Sequence, residues 1–294
     1  MTSDVKEGPM ITLSNGLSIP ILGIGTSPVG GYSHEAMVCA LKECGVRHID
    51  TARLYKCEDL VAKSVKESGV ARKELFYTSK AWPTQFGYDE VKKTLKKSLK
   101  DLGVEYVDLY LLHWPICPSG TKNPKELIAE SWQALEECYQ QGLCKSIGVS
   151  NFEEQHLNDL KETWTVVPHM NQIELHVFNY PKKLIEFCEN LGIKITAYSP
   201  LAKGKALIHP DVLKIAEEHK CTPSQLLNKW ITQKGIITIP KSTKPDRVKE
   251  NSKIVDINLT PDNVAKLDDI SNHEMFSVCV VTQQNIDEWG ASLE

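Results

Sequence analysis

The chain has 294 residues, 41% of them hydrophobic and 24% charged, which supplies enough apolar material for a complete core. That length is long for an ordinary domain but suits a single α/β barrel, which commonly has about 250 residues. A net charge of -4 provides no reason for a nucleic-acid or anionic-membrane partner, and no run approaches the roughly 18 apolar residues of a membrane span.

Residues 1–7 lack the apolar centre of a signal peptide. Nine cysteines are scattered without a Cys-x-x-Cys pair, and nine histidines show no ligand spacing. Reduced thiols in a cytoplasmic protein, with neither a disulfide framework nor a metal site, are therefore expected.

The first pattern is a hairpin, with Ile11-Thr12-Leu13 and Leu17-Ser18-Ile19 flanking Ser14-Asn15-Gly16. Asn-Gly is a strong signal for a tight turn. After Pro20 short apolar runs alternate with helical patterns as far as about residue 242. Strands are predicted at residues 21–26, 48–50, 76–80, 107–113, 146–150, 170–173, 194–199 and 236–240. Helices are predicted to begin near Ser33, Glu58, Tyr88, Lys125, Glu153, Pro181, Asp211 and Lys244. Pro181 and Pro223 suit the first turn of a helix, where a missing N–H costs nothing. Leu95, Leu99 and Leu102 recur at helical spacing and mark one apolar face.

Several strands, residues 107–112 above all, are nearly continuous in apolar side chains, as strands buried on both faces should be. Eight strands alternating with helices point to an α/β (β/α)8 TIM barrel, with a doubly wound open sheet as the alternative. Gly23-x-Gly25 lacks the third glycine and the helix of a dinucleotide-binding fingerprint, which favours the barrel. One domain is expected: a hairpin over 11–19, a barrel over 21–270 and a tail over 271–294. The tail shows no clear element and would be disordered or folded over the active-site face.

In such a barrel the carboxyl ends of the strands converge on one mouth. Those ends read Thr26, Asp50, Lys80, His113, Ser150 with Asn151, Gln172, Tyr198 with Ser199, and Lys241 with Ser242. Taken singly, each has an ordinary explanation: Tyr55 as packing, Lys80 as a solvated strand end, Asp50 as a cap, His113 as a core histidine. Their common position argues for chemistry. Tyrosine, with a pKa near 10, is a weak acid at neutral pH. A neighbouring Lys80 ammonium is expected to lower that pKa, with Asp50 keeping Lys80 charged and oriented. Tyr55 could then protonate a carbonyl oxygen while His113 donates a second hydrogen bond. Proton donation without a metal or an activated nucleophile fits hydride transfer from a bound cofactor.

Three stretches make the chain resemble the aldo-keto reductase superfamily over nearly its whole length. They are Gly45-Val46-Arg47-His48-Ile49-Asp50-Thr51-Ala52 with Tyr55, Lys145-Ser146-Ile147-Gly148-Val149-Ser150-Asn151-Phe152, and Ile239-Pro240-Lys241-Ser242 with Arg247, Glu250 and Asn251. Lys80 before Ala81-Trp82 and His113 before Trp114-Pro115 complete the pattern. The resemblance implies a catalytic tetrad of Asp50, Tyr55, Lys80 and His113 with Tyr55 as general acid. It implies NADPH/NADP+ as cofactor, its nicotinamide amide held by Ser150, Asn151 and Gln172 and its ring stacked on Tyr198. Thr26, Ser199 and Leu201 would line the cofactor path. Lys241, Ser242 and Arg247 would hold the 2′-phosphate, with Glu250 and Asn251 near the adenine. Two cations and a hydroxyl suit a phosphate dianion, whereas an NAD ribose calls for an acidic residue.

The chain departs from the family pattern at Val46, where an aromatic residue is usual, at Lys56-Cys57-Glu58, and at Val177. Val46 and Cys57 are expected to flank the tetrad, Cys57 as a helix cap or an accessible thiol. Only nine residues separate Pro115 from Lys125, and the stretch after Tyr198 is equally brief. Those lengths resemble the short-loop branch that includes glyoxal, methylglyoxal and prostaglandin endoperoxide reductases. Trp82 and Trp114 would form apolar walls for small aldehydes and moderately apolar carbonyls, or pack the barrel rim. A monomer acting on a small-molecule carbonyl is expected. The alternative functions are an NADPH-binding regulatory or structural protein with little turnover, and a barrel enzyme using flavin.

Overall fold

The computed structural model describes residues 8–293; residues 1–7, read above for a signal peptide, and residue 294 lie outside it. A hairpin comes first, β1 (Met10–Thr12) pairing antiparallel with β2 (Ser18–Pro20), Ile11 opposite Ile19. Gly16 makes its turn at φ 86, which only glycine adopts without strain, and the Asn15 side chain accepts the Leu17 N–H at 3.1 Å. Leu13 and Ile19 are buried against Phe76, Leu109, Leu111, Met170 and Ile237, most of them at strand starts. The hairpin therefore closes the floor of the domain.

Above it stand β3 (Gly23–Gly25), β4 (His48–Asp50), β5 (Phe76–Ala81), β6 (Leu109–Leu112), β7 (Ile147–Ser150), β8 (Met170–Glu174), β9 (Lys194–Tyr198) and β10 (Ile237–Thr238). Each pairs in parallel with its sequence neighbour, and a bridge from Leu22 to Thr238 joins the two ends. This is a closed (β/α)8 barrel, and the open doubly wound sheet is excluded by that closure. Strand β4 matches its predicted span. The runs 21–26, 107–113 and 236–240 contract to three, four and two residues, because Leu22 only bridges and Asp108 turns its carboxylate to Arg72 and the Tyr77 N–H.

The outer layer is α1 (His34–Lys42), α2 (Glu58–Ser68), α3 (Tyr88–Leu102), α4 (Pro124–Gln140), α5 (Glu154–Lys161), α6 (Lys182–Asn190), α7 (Pro210–Glu218), α8 (Pro223–Gln233), α9 (Pro245–Ser252) and α10 (Pro261–His273). In α3 the side chains of Val91, Leu95, Leu99 and Leu102 are buried, each contributing about 1.5–3 kcal/mol relative to exposure. Gly103 then stops the helix in the left-handed region at φ 66. Pro223 sits in the first turn of α8 as expected, whereas Pro181 is the residue that caps α6. At Gly148 in β7 a Cβ would lie 2.5 Å from the Met170 carbonyl oxygen, so this close strand pairing requires glycine.

The tail departs from expectation. Helix α10 runs past residue 270, and a further helix, α11 (Gln283–Ala291), follows where no element was predicted. Thr282 caps it by accepting the Asn285 N–H. Helix α11 packs on the turn Pro83–Gln85 so closely that a Cβ at Gly290 would lie 2.2 Å from Thr84 Cγ2. The Trp82 indole donates to the Ile286 carbonyl at 3.0 Å, and Ser119 donates to Asp287 through both its N–H and its hydroxyl. The tail thus lies across the mouth.

Candidate active site

Asp50 ends β4, and Lys80 follows on the neighbouring strand two residues beyond the position opposite Asp50. Lys80 Nζ lies 2.6 Å from Asp50 Oδ1 and donates to the Thr51 carbonyl at 2.8 Å. Gln172 of β8 donates to Asp50 Oδ2 at 2.8 Å. One carboxylate therefore ties three strands together. Both partners are almost closed to solvent, with side-chain exposures of 0% and 3%. Isolated, either charge would be costly by several kcal/mol, and pairing offsets that. Burial lowers the Lys80 pKa, with Asp50 opposing the shift.

Tyr55 belongs to a single 3-10 turn, Arg53–Tyr55, ended by Lys56 in the left-handed region at φ 52. Its hydroxyl stands 3.5 Å from His113 Nε2, and Lys80 Nζ is 5.3 Å from its ring centroid. His113 follows β6 and meets the Trp82 ring edge-on at 5.1 Å. Burial, aided by the Lys80 charge, pushes the His113 pKa well below 6.5, so the ring is neutral at physiological pH. Its Nδ1 is buried without a partner. The tautomer that leaves no buried donor unpaired carries the proton on Nε2, on the side facing Tyr55.

The expected lowering of the Tyr55 pKa is not found. Burial, then the Asp50 charge, push it well above 10.0. Asp50, 2.6 Å from the Lys80 ammonium, opposes its effect on the phenol of the resting enzyme. Tyr55 accordingly keeps its proton until a stronger base forms beside it.

The mouth opens into one cavity of about 1050 Å³. Tyr55, His113, Trp82 and Trp114 line one end; Lys241, Ser242, Arg247, Glu250 and Asn251 line the other. Between them stand Ser150, Asn151, Gln172, Tyr198, Ser199 and Leu201. Asn151 adopts φ 64 and donates its amide to the His113 carbonyl at 2.9 Å, while its Oδ1 accepts the Tyr198 hydroxyl at 2.7 Å. Ser150 donates to the Gln172 carbonyl at 2.8 Å. At the far end Lys241 reaches the Val29 carbonyl at 2.5 Å and Glu250 accepts from Ser224.

Thr26 is the exception among the predicted cofactor residues. It is buried, donates its hydroxyl to the Asp50 carbonyl at 3.0 Å, and is absent from the cavity wall that its neighbours Gly25 and Ser27 join. Val46 also departs from expectation, packing with Leu22, Ile24 and Val248 under α9 rather than beside Tyr55. Cys57 occupies the N-cap position of α2 without a side-chain capping bond and is 3% exposed, its pKa raised by burial, so the accessible-thiol reading fails. Sequence reasoning missed Leu54 and the tail residues Val278, Cys279, Val280, Val281, Glu288 and Trp289, which complete the wall. Among the described residues no group of three or more His, Cys, Asp or Glu could hold a metal ion, and no helix is long and apolar enough to cross a membrane.

The family model described as "Aldo/keto reductase family" matches residues 22–272. The chain belongs to the aldo/keto reductase family. This aldo/keto reductase is 39% identical to the glyoxal reductase of Bacillus subtilis, over 93% of this chain and 96% of that protein. It is 38% identical to the 9,11-endoperoxide prostaglandin H2 reductase of Trypanosoma cruzi, over 89% and 91% of the two chains. The crystal structure of a Bombyx mori aldo-keto reductase in complex with NADP superposes with a TM-score of 0.85 at 33% identity, covering 94% of this chain and 96% of that one. The reductase is thus an oxidoreductase whose polar strand ends occupy a barrel its relatives share.

Proposed function

We propose that this aldo/keto reductase reduces aldehydes and ketones to alcohols with NADPH, Tyr55 supplying the proton. One observation carries the reading. The Tyr55 hydroxyl and His113 Nε2, 3.5 Å apart, stand together on the cavity wall above an Asp50–Lys80 pair closed to solvent. Two donors at that separation suit one carbonyl oxygen.

The cavity's donor set fits the cofactor. Ser150, Asn151 and Gln172 gather amide and hydroxyl groups beside Tyr198, as a carboxamide and an aromatic ring require. Lys241 and Arg247 with Ser242 offer cationic and hydroxyl donors for a phosphate dianion at the other end. NADP bound to the Bombyx mori relative supports the same choice. Bound NADPH would supply a hydride to the carbonyl carbon. His113 orients the oxygen through its Nε2 proton, and Tyr55 passes its phenolic proton as negative charge grows there. The Asp50–Lys80 pair holds a cation under the phenol ring, where the transient phenolate needs one.

The short connection before α4 and the walls of Leu54, Trp82, Trp114 and Trp289 favour small aldehydes and moderately apolar carbonyls. NADPH deuterated at the hydride position tests the reaction: the alcohol should carry one deuterium on the former carbonyl carbon. A tight NADPH complex that forms no alcohol would instead support the binding-protein alternative.

A further inference from the structure

Glu174, the last residue of β8, lies two positions beyond Gln172 and takes no part in the reaction proposed above. Its buried carboxylate accepts four hydrogen bonds. Ser277 Oγ and the Cys279 N–H reach Oε2 at 2.6 and 3.0 Å, and the Val278 N–H reaches Oε1 at 2.5 Å. The fourth comes from His176 Nε2 at 2.8 Å, which carries the proton because Nδ1 accepts the Phe178 N–H. Burial alone would raise the pKa of this carboxyl, but the bonds from His176, Ser277 and Val278 outweigh it and the net shift is downward.

Three of those donors come from one tripeptide of the tail. On its other side the Val278 carbonyl accepts from Lys203 at 2.5 Å. Just before it, Phe276 stacks on Phe178 with ring centroids 4.5 Å apart. Just after it, Cys279, Val280 and Val281 form cavity wall, and Val280 is 71% exposed. Cys279 Sγ lies 3.3 Å from Ser199 Oγ, and beyond Val281 the chain is fixed at α11, where Trp289 lies 5.9 Å from Trp82. Between these anchors Val280 is the exposed member, and Glu174 takes more of the hydrogen bonds that hold the preceding tripeptide, three, than any other residue.

We propose that Glu174 is a positioning residue for substrate selection, holding residues 277–279 so that Cys279, Val280 and Val281 set the width of the cavity's substrate end. The proposal rests on the reductase reading. Fixed in this way, the tail narrows the site around a small carbonyl. Released, it leaves a wider and less defined wall, which weakens binding of small substrates and spares bulky ones.

The test compares wild type, Glu174→Gln and Glu174→Ala by kcat/KM for propionaldehyde and for acetylnaphthalene, with NADPH affinity from fluorescence titration. Glu174→Ala should lower the small-to-bulky preference about 10-fold, mainly through KM for propionaldehyde, with NADPH affinity within about twofold of wild type. Glu174→Gln, which keeps one acceptor oxygen but turns an amide toward donors, should fall between. A parallel loss for both substrates would overturn the proposal. Should the Glu174 variants not fold, Ser277→Ala removes one of the four donors and leaves β8 intact. It should shift the preference about 2- to 3-fold in the same direction, and an unchanged preference overturns the proposal. Wild-type turnover of propionaldehyde, read first, separates failure of the reductase reading from failure of this one.

Discussion

Replacing Asp50 by Asn should destabilise the protein in a pH-dependent way. The carboxylate presents one oxygen to Lys80 at 2.6 Å and the other to Gln172 at 2.8 Å. An asparagine has a single acceptor oxygen and turns an NH2 toward a donor, so one buried donor loses its partner. Lys80, wholly closed to solvent, also loses its counter-ion. Breaking a buried ion pair by removing one member costs about 3–5 kcal/mol, and that is the expected loss near neutral pH.

The sign of the pH dependence follows from Lys80. Burial already holds its pKa below 10.5, and removing Asp50, which opposes that shift, lowers it further. Between the folded value and 10.5 the unfolded chain binds more protons, so stability rises with pH, and in the variant this window extends further down. The deficit relative to wild type should therefore shrink as pH rises from about 7 to about 9.5, by up to about 1.4 kcal/mol per pH unit. Urea unfolding followed by circular dichroism at the two pH values measures it. A variant within about 1 kcal/mol of wild type near neutrality, or a deficit that grows with pH, would refute the reasoning.

Arg247→Ala should weaken NADPH binding roughly 10- to 150-fold, the equivalent of about 1.5–3 kcal/mol for charge-assisted hydrogen bonds, and leave NADH binding nearly unchanged. Equal losses for both nucleotides would remove the 2′-phosphate assignment. Acid should also destabilise the fold. His48, held at about 3 by burial with Lys80 adding to the effect, and His113, well below 6.5, both stay neutral in the folded state while the unfolded chain protonates them. Stability is thus present above pH 6.5 and lost below it, by up to about 1.4 kcal/mol per pH unit for each histidine. Unfolding curves between about pH 6.5 and 5 check this, and His48→Asn should flatten the slope.

Much of the barrel was legible because its strands are short, apolar and bounded by polar ends. His48-Ile49-Asp50 is the clearest example, with its three residues buried and its carboxylate at the mouth. The meeting of Asp50, Lys80, Tyr55 and His113 at the mouth was legible for the same reason. The tail was not. Helix α11 buries only Ile286 and Gly290, too few apolar positions to show a helical period, although Thr282 with Asn285 offered a capping signal. Glu174 was within reach, since side chains two apart on a strand share a face and Gln172 had already been placed at the mouth. The direction of the Tyr55 shift was not, because it depends on how Asp50 screens Lys80 and how deeply the phenol is buried. Thr26 shows the limit of reading strand ends: one residue decides whether a hydroxyl faces the cavity or caps a neighbouring carbonyl.

Steady-state turnover of Tyr55→Phe, with NADPH affinity measured beside it, tests the central claim most directly. The phenyl ring keeps the packing against His113 and over Lys80 and lacks only the hydroxyl. kcat should fall about 10²- to 10⁴-fold, with NADPH affinity within about twofold of wild type. Turnover near the wild-type rate would contradict it.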